Sequence, residues 1–203
     1  MNEIHYFESI CIGNLSKQAI TKMKMDPING YIALRRKADL LFASTAQYHD
    51  DLPQCRAGCC NCCTLSSILP IEAFALARAI RALAPAVQTI ITSQAKQTDL
   101  PHCPLLADSL CSVYPSRPII CRTHGAPLAY LDYCTKTIEI SVCPEKYPAD
   151  ISFDTESLLF MDELNSELQE LNRQFLPRQT GKPQRLKLTE IVHEFKRLCS
   201  RSC

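Results

Sequence analysis

The chain has 203 residues, of which 46% are hydrophobic, and this is enough for one globular unit with a buried core. The formal net charge of +1 argues against a broad basic surface for nucleic acid. The first fifteen residues lack the apolar run of a secretory signal, and the most apolar segment, 68–87, is interrupted by charges and a proline. We therefore expect a cytoplasmic protein without nucleic-acid or membrane partners.

Two helices are predicted before the cysteine-rich region. Ser16 suits the N-cap of a short helix that ends before Asp26-Pro27. The pair Asn29-Gly30 then predicts a turn. Apolar residues at helical spacing predict a second helix over about 31–48.

The middle of the chain combines helices, loops and a hairpin. A proline at the first turn and one apolar face predict a helix over about 70–83, and a weaker helix follows over 85–97. Four prolines make 100–125 loop-like. Alternating apolar and polar residues over 137–142 predict a strand that pairs with 127–133.

Two helices are predicted to close the chain, over about 153–175 and 188–198, each with an apolar seam. The predicted fold is mainly α with a small β-hairpin, and its cysteine-rich loops are gathered at one end of a helical bundle. We expect one globular unit made of an N-terminal helical arm (1–54), a cysteine-cluster core (55–147) and a C-terminal helical arm (148–203) that packs on the core.

Thirteen cysteines are the main feature of the composition. Disulfides do not persist in a reducing compartment, and an odd count prevents complete internal pairing, so clustered cysteines point to metal or redox chemistry. The segment 55–63 holds five thiols in nine residues, and Gly58 lets its backbone wrap closely around a metal. The adjacent Cys62 and Cys63 either serve two different metals, or one of them ligates and the other supports it. The competing interpretation is a run of small buried residues.

Three later segments supply further thiols, around Cys103, between Cys111 and Cys121, and at Cys143. Together with the loop they give eight candidate metal ligands: Cys55, Cys59, Cys62, Cys63, Cys103, Cys111, Cys121 and Cys143. Burying several thiolates requires compensating positive charge, and Arg117 and Arg122 bracket Cys121 as candidates to bind the cofactor. Cys60 lies inside the loop, and His124 is either an extra ligand, a proton carrier or neither.

Several of these motifs resemble the YkgJ-like cysteine-cluster family, a zinc- or iron-chelating domain. The resemblance covers about 55–143 and rests on the Cys-x3-Cys-x2-Cys-Cys core, Cys-Pro-Leu-Leu at Cys103, Cys-Ser-Val-Tyr at Cys111 and Arg117-Pro-x-x-Cys121-Arg122. It implies metal binding by the eight cysteines. Some members of the family are linked to lysine methylation of flagellin.

Two functions remain open at this stage. The first is a redox or cofactor-bearing protein with an iron–sulfur cluster that serves a protein-modification enzyme. The second is a non-catalytic module in which zinc fixes the fold and the helical arms bind a protein partner. Iron is slightly preferred to zinc. The spacing of Cys55, Cys59 and Cys62 also occurs in radical S-adenosylmethionine enzymes, but the chain lacks the length and the strand–helix alternation of their barrel. Enzyme status and catalytic residues stay open.

Overall fold

Six helices form the frame of the part of the chain that the computed structural model describes, which is residues 26–52, 55, 58–64, 67–97, 99, 101–176 and 184–199. The helix predicted after Ser16 lies outside these residues. The helices are α1 (Pro27–Ala46), α2 (Pro70–Arg81), α3 (Pro85–Ala95), α4 (Ile119–Thr123), α5 (Met161–Phe175) and α6 (Leu188–Cys199).

Helix α1 begins four residues earlier than predicted. The Asp26 side chain accepts a hydrogen bond from the Ile28 amide, 3.2 Å away, and so caps the helix directly before Pro27. The predicted turn at Asn29-Gly30 is therefore wrong, because both residues lie inside α1. Gly30 is needed there for packing, since a Cβ at this position would lie 2.5 Å from Cδ2 of Leu171 on α5.

Helices α2 and α3 confirm the prediction closely, and a buried carboxylate joins α2 to the next part of the chain. Glu72 accepts hydrogen bonds from the amides of Leu69 (3.0 Å) and Ile119 (3.1 Å). It therefore completes the start of α2 and holds the start of α4 beside it. Helix α4 was not predicted, because five residues after a proline carry no helical periodicity.

The predicted hairpin is confirmed by strands β4 (Leu128–Leu131) and β5 (Ile138–Ser141), which pair antiparallel. A third strand, β6 (Leu159–Phe160), was not predicted and pairs in parallel with β4. It occupies part of the stretch predicted as the start of the long helix, so α5 begins only at Met161. The other strands form two short antiparallel pairs: β1 (Ser67–Ile68) with β7 (Leu186–Lys187), and β2 (Leu106–Ala107) with β3 (Leu110–Cys111).

The helices pack around two clusters of buried side chains rather than one. Helices α1, α4 and α5 share the first cluster with strands β4 and β6. Helices α2, α3 and α6 build the second. Helix α2 contributes to both, with Ile71 in the first and Leu76 in the second. The mainly helical prediction is confirmed. Within the described ranges no helix has both the length and the apolar character needed to cross a membrane.

Candidate metal centre

Seven of the eight predicted ligands line one cleft of about 510 Å³. They come from the loop 55–63 and from three later segments: Cys55, Cys59, Cys62, Cys63, Cys103, Cys111 and Cys121. The eighth, Cys143, is not among the residues that line this cleft. The ten cysteines whose side chains are described, these eight with Cys60 and Cys134, are all free thiols. The fold therefore gathers thiols that are distant in sequence.

The loop 55–63 carries four of the eight candidate ligands together with Cys60. Backbone hydrogen bonds hold this loop in shape. Gly58 adopts a φ of +88°, a conformation that glycine accepts without strain. The Cys63 amide donates to the carbonyl oxygen of Cys60 at 2.9 Å, which closes a turn around Cys62. The Cys63 carbonyl in turn accepts from the Cys103 amide at 2.8 Å. This last bond attaches the loop to the second cysteine segment.

Two structural elements, the β2–β3 hairpin and helix α4, supply the other three thiols of the cleft, Cys103, Cys111 and Cys121. Leu106 pairs with Cys111 across the β2–β3 hairpin, whose turn uses positive φ values at Asp108 and Ser109. The carbonyl of Cys103 accepts from the Leu106 amide at 3.2 Å, so Cys103 lies at the base of the same hairpin. Cys121 is supplied by helix α4.

Burial disfavours the ionised form of these three thiols. Removal from water raises the pKa of Cys103 to about 11 and that of Cys121 to about 12, and it also raises the pKa of Cys111. The pKa of Cys63 moves the other way, mainly because the Cys62 thiol donates a hydrogen bond to it. The same bond raises the pKa of Cys62. Cys63 is thus the more acidic of the adjacent pair.

Cys55 lies against a different part of the molecule. A Cβ built on Gly125 would be 2.4 Å from the Cys55 sulfur, so this sulfur rests on the Gly125 backbone. The Gly125 carbonyl accepts a hydrogen bond from the Tyr147 hydroxyl at 3.2 Å. The Tyr147 amide in turn donates to the carbonyl of Cys143 at 3.0 Å. Cys143 therefore belongs to the surroundings of Cys55 although it does not line the cleft.

The electrostatics of Cys55 agree with this placement. Burial raises the pKa of the Cys55 thiol, the cation of Lys146 lowers it, and the charges of Cys59, Cys62 and Cys143 raise it further. Lys146 is itself buried, with 5% of its surface exposed. Sequence reasoning missed this lysine. Its signal is the spacing Cys143-Pro-Glu-Lys146, which places a cation three residues after a candidate ligand.

Residues 54–144 match the family model CxxCxxCC, described as a "putative zinc- or iron-chelating domain". The similarity to this family is confined to that segment of the chain. The predicted resemblance is thereby confirmed, with one difference in spacing: the family name gives two residues between its first cysteines, and this chain has three between Cys55 and Cys59. No curated protein and no solved structure matches the chain.

The donor set of the CxxCxxCC segment fits the metals that the family description gives. Zinc binds four thiolates in a tetrahedron, and an iron–sulfur cluster is held by cysteine thiolates as well. Among the described residues, however, no three side chains of Cys, His, Asp or Glu are already arranged to hold one ion. With zinc–sulfur bonds of about 2.3 Å the sulfurs of one site lie about 3.8 Å apart, so ligation requires them to move closer together.

The two predicted cofactor-binding arginines have different surroundings. Arg117 lines the cleft of the CxxCxxCC segment, and its Nη1 donates to the carbonyl of Cys121 at 3.0 Å. Burial raises the pKa of Cys121 and of Cys111, and the cation of Arg117 offsets part of this rise. Arg122 instead forms an ion pair with Asp39 of α1 at 2.6 Å and donates to the Arg117 carbonyl at 2.8 Å. Arg117 thus supplies positive charge to the thiols, and Arg122 joins α4 to α1.

Two further residues complete the cleft and its loop. His124 lines the cleft, and its Nδ1 contacts the carbonyl of Ile120, so this nitrogen carries the proton and Nε2 is the atom able to accept or ligate. Cys60 is half-buried and contributes its carbonyl to the turn that presents Cys62.

A larger groove of about 920 Å³, beside Phe74, Phe175 and Leu198, has no cysteine among its described lining residues. Among the described residues, the clustered thiols therefore lie at the CxxCxxCC cleft and not at this groove.

Proposed function

We propose that this chain is a thiolate metal-binding protein that holds zinc or an iron–sulfur cluster through Cys55, Cys59, Cys62, Cys63, Cys103, Cys111, Cys121 and Cys143. The observation that carries the proposal is the convergence of seven of these thiols on one cleft. The cleft thus offers one metal or cluster several sulfur donors that are distant in sequence, and the thiols bind it by losing their protons.

The local charges support metal rather than a disulfide network. Arg117 and the buried Lys146 lie within electrostatic range of the thiols and offset part of the negative charge of a thiolate site. Every cysteine whose side chain is described is a free thiol. A reducing compartment, the cytoplasm, is part of the proposal for this reason.

Anaerobic purification tests the function and separates the two metals. The full chain is expressed without added metal, purified under nitrogen and analysed for zinc, iron and acid-labile sulfide. Brown protein with visible absorption identifies an iron–sulfur cluster, and colourless protein with zinc identifies a zinc site. The control is a variant in which all eight cysteines are serine. Less than about 0.1 equivalent of zinc and of iron in the unmodified chain would disprove the proposal.

Metal removal is expected to loosen the middle of the chain, 100–147, more than the terminal helices. Its strands are two to four residues long and α4 has only five, whereas α5 and α6 bury continuous apolar seams. Hydrogen exchange before and after chelation measures this. Unchanged protection over 100–147 would mean that the fold there does not depend on ligation.

A redox or accessory role in protein modification, such as methylation, is the second candidate. It is favoured by the exposure of Cys55, Cys59 and Cys62, because a site open to solvent exchanges electrons or ligands more readily than a closed structural one. The helical arms, 1–54 and 148–203, are the proposed surfaces for a protein partner. A reversible midpoint potential in the holoprotein would support this role over a purely structural zinc module.

A further inference from the structure

We infer that strand β5 is a self-association edge, along which two copies of this chain pair antiparallel about a twofold axis at Ile140. The inference goes beyond the proposed function and does not depend on the metal that the cleft binds. The pairing joins the three-stranded sheets of two copies into one continuous sheet, in the order β6-β4-β5 of one copy followed by β5-β4-β6 of the other.

Strand β5 pairs with β4 along one edge, and among the described residues no strand pairs with its other edge. The Asp132 amide donates to the carbonyl of Thr137 at 2.9 Å, which makes these two residues a hydrogen-bonded pair of the hairpin. Such pairs alternate along antiparallel strands, so the backbone N–H and C=O groups of Ile138 and Ile140 point away from β4. The amide of Leu131, opposite Ile138, agrees with this alternation because it donates to a side chain of α5 and not to β5.

The side chains beside this edge are apolar and exposed on one face of the sheet. Residues opposite each other on paired strands share a face, so Ile140, Ala129 and Phe160 form a row across the sheet. Ile138, Ile140 and Phe160 are 43%, 44% and 37% exposed. The opposite face of β4 and β6 packs on the first hydrophobic cluster. Strand β5 has no proline and its register with β4 is unbroken, so it lacks two devices that keep an edge from pairing.

A second copy of β5 matches this edge in backbone and in side chains. A twofold axis at Ile140 places that residue opposite its own copy and places Ile138 opposite Val142. By the same alternation all of these residues direct their backbone groups outward, so about six hydrogen bonds join the two strands. Glu139 then lies opposite Ser141, and no two charges are opposed. The dimer is closed, because the pairing uses the same edge in both copies.

The two neighbouring registers are unfavourable. An axis at Glu139 would set the two Glu139 carboxylates directly opposite each other, and like charges in that position are destabilising. An axis at Ile138 would set Ile140 opposite Lys136, whose φ of +60° lies outside the extended range of a strand. The register at Ile140 instead continues the apolar row unbroken into the second copy.

Sedimentation of the full chain under reducing conditions tests the inference, since the reductant prevents disulfides between copies. We expect a monomer–dimer equilibrium that shifts towards dimer as the protein concentration rises. Ile140→Lys should weaken the dimer at least about tenfold, because two cations then meet at the twofold axis. Glu139→Lys is the matched control. It adds the same side chain one residue away, opposite Ser141, and should keep the dimer.

Amide exchange of the unmodified chain, followed residue by residue by NMR at low and high protein concentration, locates the contact. The amides of Ile138 and Ile140 should gain protection as the concentration rises. The amides of Glu139 and Ser141 face β4, so their protection should not change. This measurement also decides the matter if Ile140→Lys fails to fold.

Three results would overturn the inference. A monomer at every concentration excludes a second copy as the occupant of this edge. Dimers of equal strength in Ile140→Lys and Glu139→Lys place the contact elsewhere. Protection of Ile138 and Ile140 that does not depend on concentration means that another segment of the same chain covers the edge. None of these results bears on metal binding, which the metal content measures separately.

Discussion

Replacing Gly125 by alanine tests how closely the fold and the metal centre depend on each other. Gly125 has a φ of +96°, so any residue with a Cβ is strained there by about 1–2 kcal/mol. In addition, the new methyl group would lie 2.4 Å from the Cys55 sulfur. Ordinary contact begins near 3.5 Å, so the sulfur must retreat by about 1 Å.

That displacement is large for a metal ligand. Thiolate–metal distances vary by only about 0.2 Å in plausible sites, so a sulfur displaced by about 1 Å leaves the coordination sphere unless the backbone follows it. Gly30→Ala is the matched control. Its added Cβ would lie 2.5 Å from Cδ2 of Leu171, so it brings a comparable collision between α1 and α5 and none with a candidate ligand.

The assays are urea unfolding of the metal-free proteins and metal content after reconstitution. Both variants should lose about 1–3 kcal/mol of unfolding free energy, Gly125→Ala through backbone strain and collision and Gly30→Ala through collision alone. Only Gly125→Ala should also lose about one metal equivalent and leave Cys55 open to alkylation. Equal metal content in the two variants, with Cys55 equally protected, would refute the reasoning that the Gly125 backbone positions this ligand.

Three further predictions concern stability and pH. Glu72→Ala should cost about 2–4 kcal/mol in urea unfolding, because two buried amides lose a charged acceptor, and a loss below about 1 kcal/mol would contradict this. Asp39→Ala should cost about 1–2 kcal/mol of unfolding free energy, because it leaves the buried Arg122 cation without its half-exposed carboxylate partner. The metal content of this variant should not change, and a lost metal would show that the ion pair acts on the metal site. The pKa values of Cys103 and Cys121 are raised to about 11 and about 12, so zinc must displace their protons when it binds. Zinc affinity should therefore rise between pH 6 and 8, by up to about tenfold per pH unit for each thiol deprotonated. Competition titrations in buffers of different pH measure this slope, and a flat profile would exclude these two thiols as ligands.

Local signals determined much of the secondary structure. The helices Pro70–Arg81 and Pro85–Ala95 follow from a proline at the first turn and an apolar face. The hairpin follows from alternation over 137–142, although its apolar residues Ile138 and Ile140 are exposed, because they lie on an edge strand of the three-stranded sheet. These elements depend on neighbours within a few residues, and such neighbours are visible in the sequence.

Long-range contacts decided the elements that were missed. Strand β6 exists because β4 is beside it, and α4 exists because the Glu72 carboxylate receives its first amide. Asn-Gly by itself favours a turn, but this pair lies inside α1, where the glycine leaves room for Leu171. None of these partners lies near in sequence, so no periodicity could reveal them.

For the metal centre, the sequence by itself determined the ligand candidates, because thiols at chelating spacing are recognisable without coordinates. Only the tertiary structure decided their surroundings: Arg117 faces the thiols, Arg122 turns to Asp39, and the unpredicted Lys146 lies beside Cys55. Spacing fixes which atoms are able to bind a metal, whereas the surroundings of each sulfur depend on which distant backbone lies against it.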